Sequence, residues 1–212
     1  MRELSYAERP AIGESDGLLI LHHSRGSDER ALLELGAALD RVHRLHLVMP
    51  RAPLTLDGLD GHHWFAVREV GQPEWDSFQE GYTALCQFHD QTWERTGIAP
   101  DRTVLAGFSM GAAMSYATGL GRGRPRPAGI AAFSGVIPRV ADWEPELEAR
   151  EGLPVLITHG RTDRLLEIEL AHRARMLLEQ AGLAVSYHES AGGHEIDERA
   201  IGRGIQWLAE VL

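Results

Sequence analysis

The chain has no lysine and no asparagine, so each of its 21 Lys-or-Arg positions is an arginine. Chemistry that runs through a lysine amine, such as a Schiff base or a phosphate-loop lysine, is excluded. N-glycosylation is excluded as well, for want of an acceptor. Cysteine is nearly absent: Cys86 stands alone and cannot form an internal disulfide, as expected of a protein kept in the reducing cytoplasm. Its helical spacing with Tyr82, Leu85 and His89 reads as a small core residue. No apolar run approaches the roughly 20 residues that span a bilayer, and Met1 to Pro10 lacks the apolar centre of a signal peptide. Stable membrane insertion is not expected. Positive charge is in deficit, with 31 acidic residues against 21 basic ones and a formal net charge of -10. That balance argues against a nucleic-acid partner.

What is present is an alternation of short apolar runs and amphipathic stretches, the pattern of a mostly parallel sheet. Strands are expected at 17–21, 45–49, 103–108, 129–134, 154–159 and 184–189. Helices are expected at 28–41, 76–97, 110–120, 167–181 and 196–212, and residues 2–15 add a candidate edge strand. At 212 residues with 43% hydrophobic content, one domain spanning 1–212 is the natural expectation.

One junction carries most of the chemical information. Gly107-Phe108-Ser109-Met110-Gly111 lies between the strand ending at Phe108 and the helix beginning at Met110. A G-x-S-x-G in that context is a nucleophile elbow, which forces the serine into a tight turn at the tip of a strand. Side chains at Gly107 and Gly111 would collide with the backbone where strand meets helix. The first helical N–H groups point toward the serine hydroxyl.

A nucleophilic serine needs a base and an acid, and where an elbow of this kind presents the serine their chain order is Ser, then Asp or Glu, then His. Downstream of Ser109, Asp163 follows the strand 154–159 and His194 follows the strand 184–189 through the turn Ser190-Ala191-Gly192-Gly193. Both therefore sit past the carboxyl ends of strands, where such sheets place their chemistry. Ten other histidines compete for the base. His22 and His23 precede the serine, His159 ends a strand as a packed structural residue, and His172 lies on a solvated helix face. His43, His46, His89 and His188 read as surface or strand positions. For the acid, Glu195 and Asp197 adjoin the base too closely in sequence, and Asp197 suits the start of the last helix. Glu167 is the rival to Asp163.

Four segments, Leu21 to Asp28, the Gly107–Gly111 elbow, His159 to Asp163, and Gly193-His194, resemble the phospholipase/carboxylesterase family of α/β-hydrolases, which also contains the acyl-protein thioesterases. The resemblance runs from the first strand nearly to the end. It implies an α/β-hydrolase fold with a mostly parallel central sheet flanked by helices and little or no lid domain. It also implies a serine hydrolase acting on small-molecule esters, with Ser109, Asp163 and His194 as the triad. In that family the segment matching His23-Ser24-Arg25-Gly26 reads His-Gly-x-Gly. Carried over, the oxyanion-hole N–H groups are those of Arg25 and Met110. Ser24 departs from the pattern, and a positive φ there would cost about 1 kcal/mol.

Thioester, lysophospholipid or peptide cleavage would use the same three residues, and a non-catalytic scaffold on this fold would usually lack one of them. No organic cofactor is called for. Neither is a metal: His62 and His63 are adjacent, so their side chains point apart, and no cysteine or carboxylate cluster completes a site. Trp64 and Phe65, in the loop 56–72, suit an apolar substrate wall. A homodimer is compatible with the sequence. The segment 135–153, where many α/β-hydrolases insert a lid, is short and charged, which points to short-to-medium acyl chains.

Overall fold

The computed structural model describes residues 3–69 and 72–212. Arg2 of the expected edge segment, and Val70 and Gly71 of the loop 56–72, lie outside the described residues. The central sheet is built from β1 (Tyr6–Arg9), β2 (Gly17–His22), β3 (Leu45–Pro50), β6 (Thr103–Phe108), β7 (Gly129–Phe133), β8 (Pro154–Gly160) and β9 (Ala184–Ser190). Its order is β1-β3-β2-β6-β7-β8-β9, parallel except for β1, which pairs antiparallel with β3. The central strands are continuous apolar runs because both faces are covered. β2, for example, is buried at every position.

Among the described residues five α-helices cover the sheet: α1 (Leu33–Leu39), α2 (Trp75–Thr96), α3 (Met110–Leu120), α4 (Ile168–Gln180) and α5 (Glu198–Val211). Residues of α1 and α5 share one apolar core with Leu19, Leu21, Leu47 and Phe133. Residues of α2 and α3 pack on the other face around Ile20 and Leu105, and α3 and α4 complete that face around Ile130 and Ile157. Cys86 is a buried free thiol on α2 whose pKa burial pushes up to about 11, so it behaves as a core residue.

The chain runs from β2 outward to β3, then returns through α2 to β6 on the opposite side of β2. The gap between the carboxyl ends of β2 and β6 is thus the topological switch point, where open α/β sheets hold their ligands. Two loops leave the sheet there, one through Ser24 and Arg25 and one through Ser109.

The first helix is shorter than its periodicity suggests. Asp28 turns the chain by accepting from the Arg30 N–H at 2.8 Å, and Glu29 leaves helical register to grip Arg51 through two bonds of 2.5 and 2.6 Å. Residues 29–32 consequently form turns. The last helix starts later than expected because Asp197 caps it, accepting from the Ala200 N–H at 2.8 Å. A small antiparallel hairpin, β4 (Val67–Glu69) with β5 (Gln72–Pro73), stands where a plain loop was expected. Its strands are too short to leave a periodic signature.

Candidate active site

β6 ends at Phe108 and α3 begins at Met110, so Ser109 alone makes the turn, at φ 56° and ψ −117°. A left-handed φ is costly for a residue with a side chain, and the surroundings enforce it. A Cβ on Gly107 would lie 2.4 Å from the Gly111 carbonyl carbon, and one on Gly111 would lie 2.0 Å from the His22 carbonyl oxygen. The strand and helix therefore close on each other, and on β2, only with glycine at both places. The Ser109 N–H is held by the Phe133 carbonyl at 2.9 Å, which leaves the side chain aimed away from the sheet.

The three residues separated in sequence meet here. His194 Nε2 lies 2.9 Å from Ser109 Oγ, and His194 Nδ1 lies 2.7 Å from Asp163 Oδ2. The second oxygen of Asp163 accepts the Leu165 and Leu166 N–H groups, each at 2.9 Å. Burial alone would raise the Asp163 pKa. The Leu166 amide, His194 and the Leu165 amide outweigh it and hold the carboxyl below its usual range. The carboxylate is thus anionic and fixed in direction. The Phe108 ring packs against the imidazole with centroids 4.9 Å apart, limiting its swing. His159 is buried and hydrogen-bonds the Leu166 carbonyl at 2.7 Å, with Asp163 Oδ2 at 3.4 Å. It supports the acid's loop and does not approach the serine. Glu167 is exposed at the start of α4.

Ser109 and His194 open onto a cavity of about 360 Å³. Phe65, Val67, Phe108, Val136 and Leu166 supply much of its apolar wall, and Ser24, Arg25 and Met110 line it beside the serine. Sequence reasoning identified Phe65 but not Val67 or Val136, since single apolar residues in loops carry no periodic signal. Trp64 requires a correction. Its ring is fully buried, its Nε1–H donates to the His23 carbonyl at 2.9 Å, and it packs among core residues rather than facing substrate. Ser24 is not among the positive-φ residues, whereas Gly26 has φ +70°, so the serine at the family's glycine position carries no left-handed strain.

His89 also departs from expectation. It is fully buried on α2 and its Nε2 faces His22 Nε2 at 3.0 Å. His22 Nδ1 in turn meets Ser115 Oγ on α3 at 2.8 Å. Among the described residues no helix is long and apolar enough to cross a membrane.

The family model for phospholipases and carboxylesterases matches residues 9–212. The chain belongs to the phospholipase/carboxylesterase family. Acyl-protein thioesterase 1 of Neurospora crassa is 27% identical over 203 residues, covering 87% of this chain and 82% of the relative. Its counterpart in Debaryomyces hansenii is 26% identical over 180 residues, with coverage of 79% and 77%. Among solved structures, esterase PE8 matches with a TM-score of 0.86 at 31% identity over 100% of both chains. A Bacillus cereus carboxylesterase shares the fold at 19% identity, with a TM-score of 0.85 and coverage of 99% and 95%. This family member is a hydrolase of the ester-cleaving class to which carboxylesterases and thioesterases both belong.

Proposed function

We propose that the protein cleaves carboxylic esters of short-to-medium acyl chain through a Ser109–His194–Asp163 triad and an acyl-enzyme. The single observation that carries this reading is the unbroken hydrogen-bond path from the Ser109 hydroxyl through His194 to Asp163, opening on an apolar cavity. In the first half-reaction His194 Nε2 takes the hydroxyl proton as Ser109 Oγ bonds to the ester carbonyl. The imidazolium is stabilised by the Asp163 anion and then gives that proton to the departing alcohol. Water repeats the sequence on the acyl-enzyme, releasing the acid and restoring Ser109. The oxyanion that forms in each half-reaction is held by the Met110 and Arg25 N–H groups. As the first residue of α3, Met110 has an N–H unclaimed by the helix ladder. The Arg25 N–H donates to no protein acceptor among the described residues.

Cavity size supports the chain-length part of the reading. At about 360 Å³ the cavity lies at the small end of ligand pockets, which suits an acyl chain of limited length.

Thioester cleavage is a second reading, favoured by the relatives named acyl-protein thioesterases; the same attack then expels a thiol. Stoichiometric labelling by a fluorophosphonate probe tests the nucleophile, with peptide mapping expected to place the adduct on Ser109. Matched oxygen and sulfur esters of one acyl chain then separate the two readings by their kcat/KM ratio.

A further inference from the structure

His23 occupies an unusual position: its ring is buried behind the loop whose front lines the cavity. Both ring nitrogens are used. The Ala52 N–H reaches Nε2 at 2.9 Å, and an amide N–H can only donate, so Nε2 is the unprotonated acceptor. The proton is therefore on Nδ1, which donates to the Ser24 carbonyl at 2.8 Å. Burial, ahead of the neighbouring charges and against the Ser24 bond, keeps the ring neutral by lowering its pKa to about 4. That preserves the Nε2 acceptor at neutral pH. The ring itself cannot turn freely, because Trp64 packs on it with centroids 5.2 Å apart and bonds the His23 carbonyl at 2.9 Å.

The consequence follows from the planarity of the peptide bond. The Ser24 carbonyl and the Arg25 N–H belong to one trans peptide and point in opposite directions. His23 draws that carbonyl back into the core, so the Arg25 N–H is turned toward the cavity, where it has no protein acceptor among the described residues. From this geometry we infer that His23 is a positioning residue for the reaction. In its Nδ1–H tautomer it locks the Ser24–Arg25 peptide with the Arg25 N–H presented to the developing oxyanion. This rests on the proposed triad reading and on Arg25 as an oxyanion donor.

An oxyanion donor acts on the transition state and not on the bound ester, so a loosened peptide should lower kcat and leave KM in place. Asn at position 23 places an amide N–H near the original Nδ1 and keeps the bond to Ser24. Gln carries its amide farther out, near Nε2, and Leu offers no donor at all. Rates are measured on a nitrophenyl ester per active site titrated with a fluorophosphonate, so that misfolded protein does not count. Affinity for a trifluoromethyl ketone, whose serine adduct carries the same oxyanion, is measured alongside.

His23→Leu is expected to lose about 30- to 100-fold in kcat, short of the 10²–10³ that follows removal of a donor, at a KM within about twofold. Ketone affinity should fall in step, and His23→Asn should stay within about fivefold of the parent. If the Leu variant does not fold, the Asn and Gln pair decides, with Gln expected to be at least tenfold the slower. A His23→Leu enzyme within threefold of the parent, an effect confined to KM, or Asn no better than Gln would overturn the inference. Ser109→Ala run in parallel separates the failures. If it remains active the triad reading itself is wrong, whereas an inactive Ser109→Ala beside an unaffected His23→Leu removes only the role of His23.

Discussion

At the scale of single residues, Asp163 and Glu167 show how two carboxyls that read alike in sequence part in space. Both follow β8 within a few positions, and either carboxyl could have faced the imidazole. The loop of residues 163–166 favours Asp163, since two backbone amides and His194 converge on it while Glu167 is exposed. Asp163→Asn should therefore lower kcat/KM by about 10³-fold or more, through a misdirected imidazole. Glu167→Gln should change it less than twofold. Steady-state kinetics on one nitrophenyl ester checks both, and a crippling effect of the glutamate change would move the acid. Tyr116 makes a different residue-scale case. It is fully buried and its hydroxyl has no partner among the described residues. A buried hydroxyl left unsatisfied costs about 1–3 kcal/mol. Tyr116→Phe should consequently raise Tm or leave it unchanged, and a calorimetric loss of several degrees would contradict this account of its environment. That Ser109, Asp163 and His194 meet at one edge of the sheet was legible from spacing and strand context. Trp64 and His89 were not, because what buries a loop tryptophan or a histidine on an amphipathic helix is the packing of distant elements, which periodicity does not encode.

At the scale of elements, α3 and its junction with β6 were readable to the residue: both bounds of the helix, Met110 and Leu120, match the periodic pattern. A G-x-S-x-G flanked by a β-branched run and an alanine-rich run leaves little freedom. The first helix was over-extended because its limits are set by side-chain bonds, Glu29 to Arg51 and Asp40 to the Arg44 and Leu45 amides, which compete with helical register. The junction yields a direct test of packing. Gly111→Ala places a methyl 2.0 Å from the His22 carbonyl, a clash with backbone on both sides. The variant should show little soluble folded protein, judged by circular dichroism and gel filtration, whereas a normally folded, fully active variant would mean the helix and β2 are not in this contact. The walls of the cavity come from Phe65, from Val67 and Pro73 of the hairpin β4–β5 and from the segment after β7. Trp143 pins the last of these to the core, so a segment that reads as charged also supplies apolar wall. Along a series of nitrophenyl esters, kcat/KM should rise by up to fourfold per CH₂, the equivalent of about 0.8 kcal/mol. The rise should stop near medium chain length, once the cavity is full. Unbroken growth to long chains would show that the cavity does not bound the acyl group.

At the scale of the whole molecule, the buried histidines couple stability to pH. Burial is the main cause in each case. It lowers His22 to about 3 and His23 to about 4, and it lowers His89 as well. In the unfolded chain each ring titrates near 6.5. Below that value the unfolded chain binds protons that the fold refuses, so stability is full above about pH 6.5. It falls as pH drops toward 4 for His23 and toward 3 for His22. By pH 5 His22 and His23 each contribute a loss of about 2 kcal/mol. Urea melts at pH 7.5 and pH 5 should show that drop in unfolding free energy, and equal stability at the two values would mean the rings are not held neutral. The overall architecture was legible in outline, since buried parallel strands read as unbroken apolar runs. Strand order was not, because nothing local in β6 says that it returns to the far side of β2. That order brings Ser109 beside the Arg25 loop, with Asp163 and His194 reaching it from the ends of β8 and β9. The most direct test of the whole account is kcat/KM of Ser109→Ala for a medium-chain nitrophenyl ester, with circular dichroism to confirm an unchanged fold. We predict a loss beyond 100-fold together with loss of fluorophosphonate labelling, since removing a triad member costs orders of magnitude. A folded Ser109→Ala enzyme that keeps more than about a hundredth of the parent activity would contradict it.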